Sequence, residues 1–510
     1  MADKYILTID SGTTSCRSLV VNKKGDVLAT SQVEFTQFFP KSGWVEHDPL
    51  EIWNAQLSTM QSVKNKSEIK SVDIAAIGIT NQRETIVVWD KASGLPVYNA
   101  IVWQDGRTKE YCDELIAQGH SDMFADKTGL IINPYFSGTK LRWILENVPT
   151  AKEALSRDDL LAGTIDTWLL WKLTKGKSFA TDVTNASRTL LFNIHTMDWD
   201  QEILDLLGIP KSILPKVQPS SSFFGEVQPE FFSINAKGIV PITGMIGDQQ
   251  SSLFGQLCVE TGMVKNTYGT GCFVLINTGD KPVKSKNKLL TTIAWQIEGE
   301  KTQYALEGSV FIAGASITWL KNGLKLIYDS SEIDFYANLV EKLEEKDNQR
   351  IYVVPSFTGL GAPYWDSNSR GAIFGLERGT KREHIVKATL ESIAYQANDL
   401  IKSMSSDINK KIEVMKVDGG VSNSNYLLDF QSSLSNLKIV KSKNIETTAM
   451  GAAYMAGLHI KYWKNIDEIK KIAIIDKEFE SQITNEQRDK LVKGWDEAVK
   501  RTLNWTKDIE

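Results

Sequence analysis

Three groups of residues in this chain could do chemistry. The first is Asp10-Ser11-Gly12-Thr13-Thr14-Ser15-Cys16-Arg17, a polar turn between two apolar, β-branched runs. Small hydroxyl residues and one Gly let backbone N–H groups and hydroxyls face a bound anion. A carboxylate at Asp10 would repel bare phosphate but suits a Mg²⁺ that travels with nucleotide phosphates; taken alone, the stretch also fits an ordinary hairpin turn. The second is Arg83-Glu84 at a strand junction, followed by Trp103 at a strand end. Arg brings fixed donors and Glu brings acceptors, the pair that holds a polyhydroxylated ligand. A Trp can pack on the C–H face of such a ligand; a surface ion pair and a core Trp are the plainer alternatives. The third is Gly247-Asp248-Gln249-Gln250, where an apolar run meets a helix start. Asp248 is a candidate general base, or a helix cap.

Two further glycine-rich stretches accompany these. Thr267-Tyr268-Gly269-Thr270-Gly271-Cys272-Phe273 again reads as strand, turn, strand, about half a chain after the Asp10 turn. Asp418-Gly419-Gly420 ends a strand and opens a helix, where a backbone without Cβ can pass along a flat ligand. Two hairpins of the same type, one opening each half, point to a duplicated fold with ligand between the halves.

The elements that must position these residues follow from period and punctuation. A turn at Lys23-Lys24-Gly25-Asp26 leads into a strand over 27–36. Asp48 suits an N-cap, Pro49 the first helical position and Glu51 the acid of a capping box. The helix they open turns Trp53, Leu57 and Met60 to one side. Strands follow at 74–80 and 86–89. A loop at 135 becomes a helix with Leu141, Ile144 and Leu145 inward, and 164–173 is a further helix. The stretch 181–187 reads as a polar turn. In the second half, 311–320 reads as a helix with a small face. Thr380 to Glu383 reads as a capping box before a long helix bearing Val386, Leu390, Ile393, Ala397 and Leu400. The tail helix carries Leu491, Trp495, Val499 and Leu503.

With 510 residues the chain needs two or more domains. A formal net charge of −5 argues against bulk attraction to nucleic acid or anionic membrane. Four separated cysteines form no CxxC pair and read as reduced thiols of a cytosolic protein. The chain shows no signal peptide and no apolar run long enough to span a bilayer. There is no GxxxxGK[ST] loop and no protein-kinase motif set, so ATP would need another fold.

Taken in order, the segments 10–17, 44–49, 82–84, 247–250, 267–273 and 418–420 resemble the FGGY carbohydrate kinase family, in its branch that acts on glycerol. Residues 135–147 and 371–391 fit the family's two signatures, and the resemblance covers nearly the whole chain. It implies an α/β fold of two related actin-like (ribonuclease H-like) ATPase domains flanking a central cleft. Residues 1–257 would form the N-terminal domain, with the glycerol site and phosphate loop, and 258–510 the C-terminal domain, with the adenosine site. The implied reaction moves the γ-phosphoryl group of ATP to a terminal hydroxyl of glycerol, giving sn-glycerol 3-phosphate and ADP. That is a first step of glycerol use and a source of glycerol 3-phosphate for lipids.

The roles implied by the resemblance are specific. Arg83, Glu84, Trp103, Tyr135, Asp248, Gln249 and Phe273 match the glycerol positions. Ser11, Thr13, Thr14, Ser15, Arg17, Thr270, Gly314, Thr318, Gly420 and Ser424 match the nucleotide side. Asp248 is the candidate base that accepts the alcohol proton, and Asp10, the second catalytic carboxylate, holds Mg²⁺. Thr318 stands where many relatives have Gln, and Ser424 where they have Asn. The 235–240 loop is shorter than the bacterial loop for fructose 1,6-bisphosphate and lacks its Arg, so that effector is not expected. A cytoplasmic homo-oligomer, dimer or tetramer, is expected. A pentulose kinase of the same family and a non-catalytic actin-like nucleotide switch are the rival readings.

Overall fold

The computed structural model describes residues 4–67, 69–232, 239–343 and 350–507. Residues 235–238 of the loop weighed above therefore lie outside the described residues.

Two sheets carry the structure. The first, of six strands, runs in the order Ser221–Val227, Val240–Gly247, Ile74–Asn81, Tyr5–Ser11, Ser15–Val21, Val27–Glu34. The second, of seven strands, runs Leu290–Trp295, Gln303–Val310, Cys272–Gly279, Val264–Tyr268, Val414–Asp418, Lys438–Ser442, Ile475–Phe479. Their centres have the same plan. In the first, Tyr5–Ser11 pairs antiparallel with Ser15–Val21, which pairs antiparallel with Val27–Glu34. Ile74–Asn81 and then Val240–Gly247 add in parallel on the other side. In the second, Val264–Tyr268, Cys272–Gly279 and Gln303–Val310 form the antiparallel set. Val414–Asp418 and Lys438–Ser442 add in parallel. The same order and sense occur twice, which is the duplication that the two hairpins foreshadow.

Parallel strands need cover on both faces. On one face of the first sheet, helix Pro49–Ser67 buries Ile52, Trp53, Met60 and Val63. The other face is covered by a helix from late in the chain, Thr447–His459. Its contact is backbone-close. A Cβ at Gly78 would meet the Ala452 carbonyl, one at Gly244 would meet Ala456 N at 2.5 Å, and one at Gly451 would meet the Ser251 carbonyl. Small residues at 449, 451–453 and 456 let this helix lie between the two halves, against Asp248–Gly255.

A four-stranded satellite sheet, Glu46–His47, Ala100–Ile101, Ile86–Asp90 and Leu160–Thr164, stands beside the first. Helix Ser137–Asn147 packs on it with Leu141 and Ile144 buried. In the tail helix Asn485–Lys500, Trp495 and Val499 are buried.

Four local expectations are corrected. Residues 181–187 are not a surface turn: they form strand Ala180–Asp182 and the short helix Val183–Ala186, all buried. Their polar groups satisfy one another, so polarity there does not mean exposure. Asp48 does cap its helix, accepting the Leu50 N–H at 2.8 Å, but Glu51 accepts from Thr36 N–H and Oγ1 rather than closing a box. The long helix begins at Arg382, after Thr380; His384 Nδ1 accepts the Lys381 N–H at 3.1 Å, while Thr380 Oγ1 accepts from Glu377. The helix expected over 311–320 starts at Gly314 and passes into a π-turn at Trp319–Gly323.

Candidate active site

Strand register brings all three groups of residues together. Ser11 is opposite Asn81, and Asn81 is opposite Gly247. Three adjacent parallel strands therefore end in one row, and the Asp10 turn, Gln82-Arg83-Glu84 and Asp248 leave from that row. The crevice outside the carboxyl ends of parallel strands is where ligands bind in such sheets. In the second sheet, Thr267 is opposite Asp418, which places the Gly269–Gly271 turn beside Gly419-Gly420.

The centre of the site is a buried charge network. Arg83 clasps Glu307 with two bonds, Nη1 to Oε2 at 2.6 Å and Nη2 to Oε1 at 3.0 Å. Its Nη1 also donates to Gln250 Oε1 at 3.1 Å, and its Nε lies 3.2 Å from Asp248 Oδ1. Arg188 donates Nε to Glu84 at 2.6 Å and Nη2 to Glu307 at 3.0 Å. Glu307 belongs to the second sheet, so the network ties the two halves together. Burial alone would raise the Glu307 carboxyl, but Arg188 and Arg83 hold it down at about 2. With Lys265 nearby there are three cations (Arg83, Arg188, Lys265) and three carboxylates (Glu84, Asp248, Glu307). Buried charge is tolerable only when balanced in this way.

Glu84 is held in an uncommon conformation. Its φ is 62°, and Thr85 N–H closes a tight turn onto the Arg83 carbonyl at 2.7 Å. Ser137 Oγ donates to the Glu84 carbonyl at 2.7 Å and Arg188 holds its carboxylate. A non-Gly residue at positive φ costs on the order of 1–3 kcal/mol and persists where neighbours enforce it, commonly at functional sites.

Asp248 opens helix Asp248–Gly255, and its own Oδ1 accepts the Gln249 N–H at 2.6 Å. Burial pushes its pKa up to about 6, with Arg83 opposing. Its side chain keeps 28% exposure, toward the crevice. The corner it stands on is braced: Gly247 N–H donates to Thr184 Oγ1 at 2.8 Å, and that hydroxyl donates to Asp182. Asn185 and Asn81 exchange amide bonds at 3.0 and 3.1 Å beside it. The misjudged 181–187 segment thus supports the candidate base.

Aromatic rings line one side. Trp103 stands edge-on to Tyr135 at 5.6 Å and to Phe273 at 6.4 Å between centroids. Trp103 Nε1 donates to Thr13 Oγ1 at 3.0 Å, which joins the wall to the first hairpin. Lys140, fully buried, donates to the carbonyls of Val102 at 2.7 Å, Trp103 at 3.2 Å and Tyr135 at 3.4 Å. It pins both ring-bearing segments, and burial lowers its pKa to about 7.

The nucleotide-side residues form a looser set. Gly12 N–H donates to the Ser15 carbonyl at 3.0 Å, closing the first turn; Thr13, Thr14 and Ser15 are half-buried to exposed. Asp10 accepts from Arg17 at 2.6 Å, and Arg17 also reaches Glu446 at 2.8 Å. Ser11 Oγ faces Cys16 Sγ at 3.6 Å. Across the crevice, the turn at Gly269–Gly271 is clasped to the next helix by Gly314 N–H to Gly269 O at 3.0 Å. A Cβ at Gly314 would meet that same oxygen at 2.6 Å. Thr270 and Thr318 are exposed, and nothing lies within 4 Å of a Cβ placed on Gly420. Ser424 is committed: it caps helix Asn425–Ser435 through Leu427 N–H and donates to Asp334.

Among the described residues no group of three or more His, Cys, Asp or Glu is gathered as a metal site. The buried Asp10 carboxylate, bonded to Arg17 through Oδ2, nonetheless fits Mg²⁺, which binds through one or two carboxylates plus phosphate oxygens and keeps several waters. All four cysteines are free and buried. Among the described residues no helix is long and apolar enough to cross a membrane.

Arg188, Glu307 and Lys265 were not expected from the sequence. Glu307 had one available signal, as the single charged residue inside the strand Gln303–Val310. Lys265 had the same one in strand Val264–Tyr268, and Arg188 had none.

Two related α/β lobes with a charged crevice between them define a sugar-kinase type of ATPase. Residues 5–255 match the N-terminal domain model of the FGGY family of carbohydrate kinases, and residues 264–460 match its C-terminal domain model. The chain belongs to this family, and its two lobes have the actin-like ATPase fold. It is similar to a glycerol kinase of Mycoplasmopsis pulmonis, 68% identical over 508 residues, covering 100% of this chain and 99% of the relative. It is also similar to the crystal structure of Plasmodium falciparum glycerol kinase with ADP, at TM-score 0.92 and 39% identity, covering 98% of each chain. A ligand-bound xylulose kinase from Lactobacillus acidophilus shares the fold at TM-score 0.85 and 23% identity, covering 97% of each chain.

Proposed function

We propose that this kinase transfers the γ-phosphoryl group of ATP to a terminal hydroxyl of glycerol, releasing sn-glycerol 3-phosphate and ADP. The observation that carries the reading is the convergence of Arg83, Glu84 and Asp248 at the carboxyl ends of neighbouring strands, with Thr13 of the first hairpin bonded to the Trp103 wall. The similarity to glycerol kinases supports it.

Arg83 and Glu84 hold two hydroxyls, while Trp103, Tyr135 and Phe273 cover the short carbon chain. A primary alcohol is a poor nucleophile at neutral pH, and Asp248, the general base, accepts its proton as the new bond to phosphorus forms. Its raised pKa of about 6 leaves it mostly ionised at pH 7 yet basic enough for the task. The hairpin N–H groups, Thr13, Thr14, Ser15, Arg17 and Thr270 hold the polyphosphate, and positioning does most of the remaining work. Mg²⁺, when bound near Asp10, supplies charge neutralisation on the phosphate oxygens. Gly420 and the exposed Thr318 flank the adenosine. We place the division between domains at 257/258 and the reaction in the cytosol, by a homo-oligomer that supplies glycerol 3-phosphate for lipids.

The test is ADP release with ATP and Mg²⁺ across a polyol panel. Glycerol is expected to give the highest kcat/KM. A higher value with xylulose moves the chain to the pentulose kinases, and ADP release that no polyol stimulates makes it a nucleotide switch.

A further inference from the structure

Lys265 sits in strand Val264–Tyr268 of the second sheet and is fully buried. An ammonium that loses its water is costly unless well-placed partners replace it. Its partners come from both sides of the crevice. Nζ donates to Gln249 Oε1 at 2.5 Å, on the first-half helix that starts with Asp248, and to Thr267 Oγ1 at 2.8 Å on its own strand. Polar contacts continue from there. The hydroxyls of Thr267 and Ser252 are 3.3 Å apart, and Ser252 Oγ donates to Asp418 Oδ2 at 2.7 Å. Gln256 and Thr447 bond the same oxygen, and Asp418 immediately precedes Gly419-Gly420. One buried ammonium therefore connects the amide beside the candidate base to the strand end under the nucleotide-side glycines.

An ammonium has donors and no acceptor, so it can face only the carbonyl oxygen of the Gln249 amide. That choice leaves the amide NH₂ available to a substrate hydroxyl. The charged groups facing Lys265 are Asp418, Glu307, Arg83 and Asp248; those facing Asp248 are Arg83, Glu84 and Lys265.

We propose that Lys265 is a positioning residue for phosphoryl transfer: it fixes the Gln249 amide toward the alcohol and sets a positive charge against the residue next to Asp248. The inference rests on the glycerol kinase reading of this crevice. Burial lowers the Lys265 pKa to about 8, so the charge is present at pH 7.

The experiment is steady-state kinetics of full-length Lys265→Met and Lys265→Gln from pH 5 to 8. The Met variant loses charge and every hydrogen bond; the Gln variant loses the charge and keeps a shorter N–H donor. Lys265→Met is expected to lower kcat about tenfold or more and to raise the glycerol KM, with the ATP KM within about twofold. In both variants the acidic limb of the kcat profile moves up by about half a pH unit or more. Should Lys265→Met fail to fold, the limb in Lys265→Gln decides. An unmoved limb with an unchanged glycerol KM overturns the inference, whatever happens to Tm. Wild-type protein that releases no ADP in response to glycerol overturns the glycerol kinase reading as well, which separates the two failures.

Discussion

The two ends of the crevice are built by opposite rules. The end we assign to the alcohol is packed and charged: Arg83, Glu84, Arg188 and Glu307 are buried and bonded to one another, and the turn at Glu84 is held at positive φ. The end we assign to the nucleotide is small and sparse: Thr14, Thr270 and Thr318 are exposed, and Gly420 borders open space. A three-carbon alcohol offers few atoms, so selectivity needs fixed partners formed before it arrives. A nucleotide carries its own charge and metal, and backbone N–H groups in a turn suffice to hold it. The first end is expected to respond to substitution through folding and kcat, and the second through nucleotide KM.

The largest effect expected is at Glu307. Glu307→Gln leaves Arg83 and Arg188 without their shared counter-charge and should cost about 3–5 kcal/mol, read as a lowered denaturant midpoint. Stability within about 1 kcal/mol of the parent would mean that the network is not the anchor described. Next comes Gly419→Ala. The φ of 87° and the Tyr268 carbonyl in the path of a Cβ predict a loss of about 1–3 kcal/mol. Wild-type stability there would show the turn to be slack.

A third test uses pH. Asp248 must be ionised to accept a proton, and burial places its pKa at about 6. The kcat/KM for glycerol should rise with pH through that value and fall about tenfold per unit well below it. A profile flat down to pH 4.5 would remove Asp248 from the base role. The smallest effect is at the neighbouring glycine. Gly420→Ala should leave Tm unchanged and raise the ATP KM a few-fold, about 1 kcal/mol or less. An unchanged ATP KM would place the nucleotide elsewhere.

The strands and turns of both hairpins were legible because β-branched runs broken by Gly and Thr have few other readings. Their recurrence half a chain apart pointed to the duplication, and the strand-to-helix junction at 247–250 pointed to the candidate base. Arg188, Glu307 and Lys265 stayed hidden for a physical reason. Arg83 and Glu307 meet across 224 positions, and Glu84 and Arg188 across 104. A lone charge carries no local sign of so distant a partner. The 181–187 segment was misread for the converse reason. Its Thr, Asn and Asp groups bond one another in the interior, yet residue by residue they match a solvated turn. Caps were legible only where one side chain had a single backbone partner: Asp48 kept its role, while Glu51 found Thr36.

The central claim is that a preformed alcohol site delivers its hydroxyl to Asp248. It is tested most directly by Asp248→Asn, with glycerol affinity from calorimetry set beside turnover of the same preparation. The account predicts a Kd within about threefold of the parent and kcat lower by about 10²–10⁴-fold. Turnover near that of the parent, with glycerol bound equally well, would contradict it.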